Sequence, residues 1–251
     1  MIFNSLEFVV FIACFLPLFY LVRSKHDIRD IVLLIGSYLF YMASYWQYAG
    51  LILVSTCVDF FVGKKLDKSQ SKGVRKCCLI ISLIVNLGLL GVFKYYNFFY
   101  HSSATLLGYM GVSIPPLYHE LLLPVGISFY TFQTLSYTID LYRRKIDREK
   151  SFLKFAVFVS FFPQLVAGPI VRAKDFLPQL NRKLELNAKH VKDGVFLIFI
   201  GLFKKIVIAD LLAYLVVDDV FGNPSAYSSL DLLVSLYAYT FQIYCDFSGY
   251  S

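Results

Sequence analysis

Charge is scarce in this chain: Asp, Glu, Lys and Arg together make up 16% of its 251 residues. A soluble domain carries roughly 25%, so no separate soluble domain has room to exist. Histidine is scarce as well. His26, His101, His119 and His190 fall in loops or at the ends of apolar runs, and none sits in an apolar setting beside a polar partner. None is therefore assigned as a general base, although histidine is the usual choice. Cys14, Cys57, Cys77, Cys78 and Cys245 show no metal-ligand spacing. They read as small apolar residues rather than a disulfide framework. Gly-x-Ser-x-Gly, P-loop and His-Glu-x-x-His motifs are absent, which removes the chemistries those motifs carry. Lys and Arg are missing from three stretches, 43–50, 100–120 and 218–228.

What remains is apolar: 58% of residues are hydrophobic and 18% aromatic. Long apolar runs with few charges predict an all-α polytopic membrane protein, with 1–251 forming a single membrane domain. The net charge of +7 sits in short segments between those runs. It is explained by topology and anionic lipid headgroups, not by nucleic acid.

Seven spans are expected, at 5–22, 31–48, 51–63, 77–99, 121–142, 193–217 and 229–247. Gly50 is expected to break the second from the third. Basic residues cluster at 21–30, 64–76, 143–154 and 172–192, which hold 21 of the 24 Lys and Arg. The alternate loops hold none, so the positive-inside rule places the N-terminus outside and the C-terminus in the cytoplasm. The loops on either side of 155–171 are equally basic. That stretch should enter and leave on one side, as a re-entrant element; a helical hairpin or a surface helix fits the pattern as well. Asp59 is an acid within a span, and its expected partner is Lys64 or Lys65 near the cytoplasmic end.

Three places could carry chemistry. In 158–172, Pro163 and the pair Gly168-Pro169 break an apolar run that holds Gln164. Irregular backbone at membrane depth is tolerated only beside protein or a wet cavity, so this stretch could form the wall of a site. Lys204 and Lys205 are adjacent within a span. Each costs roughly 2.5–3.5 kcal/mol at a helix centre unless it faces a bundle interior or water. They are candidates for an anionic ligand such as a nucleotide phosphate; alternatively, 193–205 lies along the interface. On the last span, Tyr239, Gln242 and Asp246 form one polar face, and Tyr237, Thr240 and Tyr244 a second. Ordinary interhelical hydrogen bonding would explain these too.

Four stretches share one likeness. They are Leu123-Pro124-Val125-Gly126-Ile127-Ser128-Phe129-Tyr130-Thr131-Phe132-Gln133 with Tyr137 to Asp140, Phe162-Pro163-Gln164-Leu165-Val166-Ala167-Gly168-Pro169-Ile170, Gly201-Leu202-Phe203-Lys204-Lys205, and Gln242-Ile243-Tyr244-Cys245-Asp246-Phe247-Ser248-Gly249-Tyr250-Ser251. The opening Met1-Ile2-Phe3-Asn4-Ser5 fits as well. In this order they resemble the membrane-bound O-acyltransferase superfamily, and within it the bacterial alginate O-acetylase group. The likeness covers the whole chain and about the N-terminal half of such a protein.

The resemblance implies an enzyme of the bacterial inner membrane that moves acetyl groups to hydroxyls of an exported, alginate-like polysaccharide. It implies acetyl-CoA as the cosubstrate, no bound cofactor or metal, periplasmic acetylation proteins as partners and a tunnel through the membrane. Candidate tunnel-lining residues are Gln133, Gln164, Gly168, Pro169, Lys204, Lys205, Gln242, Tyr244, Asp246 and Ser248. The family's catalytic histidine lies in a Trp-Arg-Arg-Trp-His type segment beyond Ser251, so no catalytic residue is carried over. The chain alone is expected to be an inactive N-terminal portion, truncated or completed by a separately encoded C-terminal half. A non-enzymatic membrane scaffold of a polysaccharide export or modification complex, or a transporter, are the alternatives.

Overall fold

Helix is the only regular structure among the described residues. The computed structural model describes residues 3, 5–112, 115, 120–165, 168–182 and 187–251, with backbone alone at 44 and 45. Met1, Ile2, Asn4, His119, Val166 and Ala167, all invoked above, lie outside the described residues.

The elements run α1 (Leu6–Val22), α2 (His26–Tyr45), α3 (Ala49–Lys68), α4 (Lys72–Tyr109), α5 (Ile127–Tyr142), α6 (Phe152–Ser160), α7 (Phe162–Leu165), α8 (Ala173–Leu180) and α9 (Ala188–Leu202). A π-helical stretch, Phe203–Ala209, leads to α10 (Asp210–Leu212), a second π stretch, Ala213–Val217, and α11 (Asp218–Gly222). The last helix is α12 (Ser229–Tyr250). Two compact units result, one built mainly from residues 15–165 and 170–182, the other mainly from 5–14 and 187–251.

Several boundaries differ from the sequence reading. Gly50 does not break a helix; it lies inside α3, and the break is the 3₁₀ turn Trp46–Tyr48. The basic segment 64–76 is not a loop. α3 runs to Lys68 and α4 starts at Lys72. The stretch 100–120 is helical as far as Tyr109, so His101 is a helical residue. α5 begins only at Ile127, because Gly126 precedes it in a left-handed conformation with φ 75°.

Among the described residues, α4 is long and apolar enough to cross a membrane, and α1 is apolar but shorter. At 38 residues and a rise of about 1.5 Å each, α4 exceeds a hydrocarbon core of about 30 Å.

The first unit packs around α6. That helix has nine residues, and Phe155, Ala156, Val157, Phe158, Val159 and Ser160 are all buried. It packs against α2, α3, α5 and α8. Tyr137 meets Phe155 with ring centroids 4.7 Å apart, and Phe60 meets Phe152 edge-on at 5.2 Å. Aromatic pairs of this kind contribute about 0.5–1.5 kcal/mol each.

Buried polar groups add a second kind of adhesion, as expected where lipid removes the hydrophobic driving force between helices. Arg75, on α4, donates from Nη1 to Leu66 O and from Nη2 to Leu141 O (3.2 Å) and Tyr142 O (2.7 Å). One guanidinium thus satisfies end carbonyls of both α3 and α5, which have no partner inside their own helices. Arg29 likewise donates to Leu180 O at the end of α8 and to Arg182 O just beyond it, while pairing with Asp30 at 2.9 Å.

Asp59 departs from expectation. It is fully buried, and it pairs with neither Lys64 nor Lys65, which are exposed. Its carboxylate instead accepts from Ser82, Asn86 and Thr138.

Candidate functional site

The second unit draws Lys204, Lys205, Asp210 and Asp246 into one cluster. α12 packs along the π stretch Phe203–Ala209. A Cβ added at Gly201 would stand 2.5 Å from Gly249 O, and one added at Gly249 would stand 2.8 Å from Gly201 O. Two glycines facing each other let the backbones approach to a distance that no other residue permits. The side chains just beyond this contact therefore reach across.

Lys204 donates from Nζ to Ser248 Oγ at 2.7 Å. Lys205 Nζ lies 2.8 Å from Asp246 Oδ1 and 2.9 Å from Asp210 Oδ1, with the Tyr250 ring centroid at 5.8 Å. The π geometry explains how adjacent lysines both serve α12. A π turn holds more residues than an α turn, so sequence neighbours are separated by a smaller angle. The same geometry brings Asp210, five residues after Lys205, onto its side chain.

Two lysines and two carboxylates leave this cluster without net charge. Each otherwise costly ion has a partner or a polar acceptor, as intramembrane charges require. Asp246 is engaged by the Lys205 ammonium and is not a free base. Ser248 accepts from Lys204 and keeps its own O–H for a further acceptor. Gln242 lies one turn before Asp246, and its Oε1 is buried without a partner. Tyr244 is exposed.

In the first unit, the broken segment holds a second polar focus. α6 ends at Ser160 and α7 spans only Phe162–Leu165. Gln133 Nε2 donates to Phe158 O at 2.5 Å, and Gln164 Nε2 reaches the same oxygen at 3.4 Å. Phe162 N–H donates to Ser37 Oγ at 3.3 Å. Two backbone groups freed by the break, Phe158 O and Phe162 N–H, are thus satisfied by side chains of α5 and α2. Gly126 is required here on two counts: its φ is 75°, and a Cβ would stand 2.2 Å from Leu165 O. Gly168 and Pro169, in non-helical backbone, belong to the second unit.

The candidate residues therefore fall into two groups, Lys204, Lys205, Asp246 and Ser248 in one and Gln133 with Gln164 in the other. Asp210 joins the first, although periodicity gave no reason to include it. Tyr41 Oη, Tyr130 Oη and Thr131 Oγ1 are further buried polar atoms without partners in the first unit.

Residues 83–251 match the model of the MBOAT, membrane-bound O-acyltransferase family. The chain is 38% identical to the probable alginate O-acetylase AlgI of Pseudomonas aeruginosa, over 100% of this chain and 48% of that protein. It is 37% identical to the corresponding protein of Pseudomonas syringae pv. tomato, again over 100% of this chain and 48% of the relative. It is 34% identical to the peptidoglycan O-acetyltransferase of Helicobacter pylori, over 96% of this chain and 51% of that protein. The chain spans about half the length of the curated relatives it matches. The glycine contact, the lysine pair and the Asp-Phe-Ser-Gly segment that meet in the second unit all lie inside the matched region, and with the relatives they place this chain in the membrane-bound O-acyltransferase family.

Proposed function

We propose that these residues form the N-terminal portion of an enzyme that transfers acetyl groups to hydroxyls of an exported polysaccharide. The observation that carries the proposal is the meeting of Lys204 and Lys205 with Ser248 and Asp246, which joins two stretches typical of this family. The relatives at 34–38% identity act, by name, on alginate or peptidoglycan. Alginate-like polymer is the substrate favoured here.

Acetyl-CoA serves as the acyl donor from the cytoplasm. Gln133, Gln164, Gly168, Pro169, Lys204, Lys205, Gln242, Tyr244, Asp246 and Ser248 are the candidate tunnel-lining residues. Acyl transfer to a hydroxyl needs a base for its proton and donors for the oxyanion. Lys204 and Ser248 supply polar hydrogens. The base is the histidine of a Trp-Arg-Arg-Trp-His type segment outside these residues.

The chain crosses the inner membrane seven times, with its N-terminus outside and its C-terminus in the cytoplasm, and 155–171 enters and leaves from the cytoplasmic side. A nine-residue α6 supports this reading, since about 14 Å of helix is too short to cross. Periplasmic acetylation proteins and a C-terminal half are the partners.

The experiment is transfer of labelled acetyl from acetyl-CoA to alginate by membranes containing chain 1–251, alone and with a separately expressed segment carrying the histidine motif. The expected result is transfer only by the combination. Robust turnover by 1–251 alone overturns the division of labour.

A further inference from the structure

Asp59 sits in a ring of hydroxyl and amide side chains drawn from three helices. Ser82 and Thr138 donate their hydroxyls to Asp59 Oδ1, the latter at 3.3 Å, and Asn86 Nδ2 donates to Oδ2 at 2.8 Å. Behind this first layer, Ser55 Oγ donates to Asn86 Oδ1 at 2.5 Å, and Thr134 Oγ1, which donates to Thr131 O at 3.0 Å, lies 3.3 Å from Asn86 Oδ1. All six residues are at most 1% exposed. Ser55 and Asp59 lie on α3, Ser82 and Asn86 on α4, and Thr134 and Thr138 on α5.

Every member except Asp59 is neutral. Among the described residues no Lys, Arg or His forms an ion pair with Asp59. Neutral side chains alone would suffice to glue three helices through hydrogen bonds. The carboxylate adds a buried charge, which is costly unless something of opposite sign balances it.

We propose that this ring binds a single sodium ion. One carboxylate balances one monovalent cation, whereas a divalent ion would leave the site with excess positive charge. The set of carboxylate, hydroxyl and amide oxygens suits a hard cation. Its members already stand within hydrogen-bond distance of one another, so an ion that takes the place of those bonds is a small one. Each hydroxyl that now donates to Asp59 also has lone pairs to offer a cation, and Asn86 presents its oxygen by turning its amide. The ion would tie α3, α4 and α5 together, independently of acyl transfer.

The experiment uses the full chain purified in detergent. Binding of radioactive sodium is measured directly, and thermal unfolding is followed in sodium, potassium and choline chloride at equal ionic strength. Saturable sodium binding is expected, with an unfolding midpoint about 4 °C or more higher in sodium than in choline. Asp59→Asn removes both effects, and Asp67→Asn, at an exposed acid, keeps them. Absence of sodium binding to the wild-type chain, with equal midpoints in the three salts, overturns the proposal and leaves the carboxyl holding its own proton. An equal response to potassium overturns the assignment to sodium. Should Asp59→Asn fail to fold, binding by the wild-type chain decides alone.

Discussion

Lys205 and Asp246 stand 2.8 Å apart, ammonium to carboxylate, and this pair fixes the π stretch against α12. Its side chains are 20% and 38% exposed, so part of the attraction is screened. Asp246→Asn should lower stability by about 1 kcal/mol. Lys205→Met should cost more, because it leaves both Asp246 and Asp210 without their cation. The double variant should cost less than the sum of the two. Thermal unfolding of the four proteins measures this; strict additivity would show that the pair is incidental.

The glycine contact gives a sharper contrast. Gly201→Ala must push its Cβ into Gly249 O, and should destabilise by about 1–3 kcal/mol. Gly88→Ala meets nothing within 4 Å, so removing a helical glycine there should be neutral or stabilising by up to about 1 kcal/mol. Equal effects at both positions would mean that the close approach does not matter.

Arg75 predicts a failed conservative substitution. Its two terminal nitrogens serve carbonyls of α3 and α5 at once. A lysine cannot reproduce that fork. Arg75→Lys should therefore destabilise nearly as much as Arg75→Ala, by about 3 kcal/mol, since carbonyls at both helix ends lose their donor. Full stability of Arg75→Lys would contradict the dual-cap role.

The topology around α6 can be read by labelling. Phe155 is fully buried and makes a poor probe, whereas Lys154 and Arg172 bracket the segment from more accessible positions. In a background without the native cysteines, Lys154→Cys and Arg172→Cys should both react from the cytoplasmic face of intact vesicles. Labelling from opposite faces would turn 155–171 into a crossing.

The all-helical class and the two motif-bearing segments of the second unit were legible in the sequence, because apolar runs and motif order are local properties. Helix ends were less legible. Positive charge marked 64–76 as a loop, yet lysines are good helix formers, and only Ser69-Gln70-Ser71 needs to turn. Asp59 was misread for a related reason: Lys64 and Lys65 are near in sequence, while Ser82, Asn86 and Thr138 come close only through packing. Asp210 escaped because a spacing of five puts two residues on one side of a π-helix but not of an α-helix. The Gly126 requirement was also hidden, since only the fold brings Leu165 O against it.

The most direct test of the functional account is labelled acetyl transfer from acetyl-CoA to alginate by 1–251 combined with the histidine-bearing segment. The wild-type combination is compared with combinations carrying Lys204→Gln or Asp246→Asn, each in amounts matched by folded protein. The account predicts ester-linked label on the polymer with the wild type, and a loss of about tenfold or more in kcat/KM with either variant. Undiminished transfer by both variants, or no transfer by the wild-type combination, would contradict it.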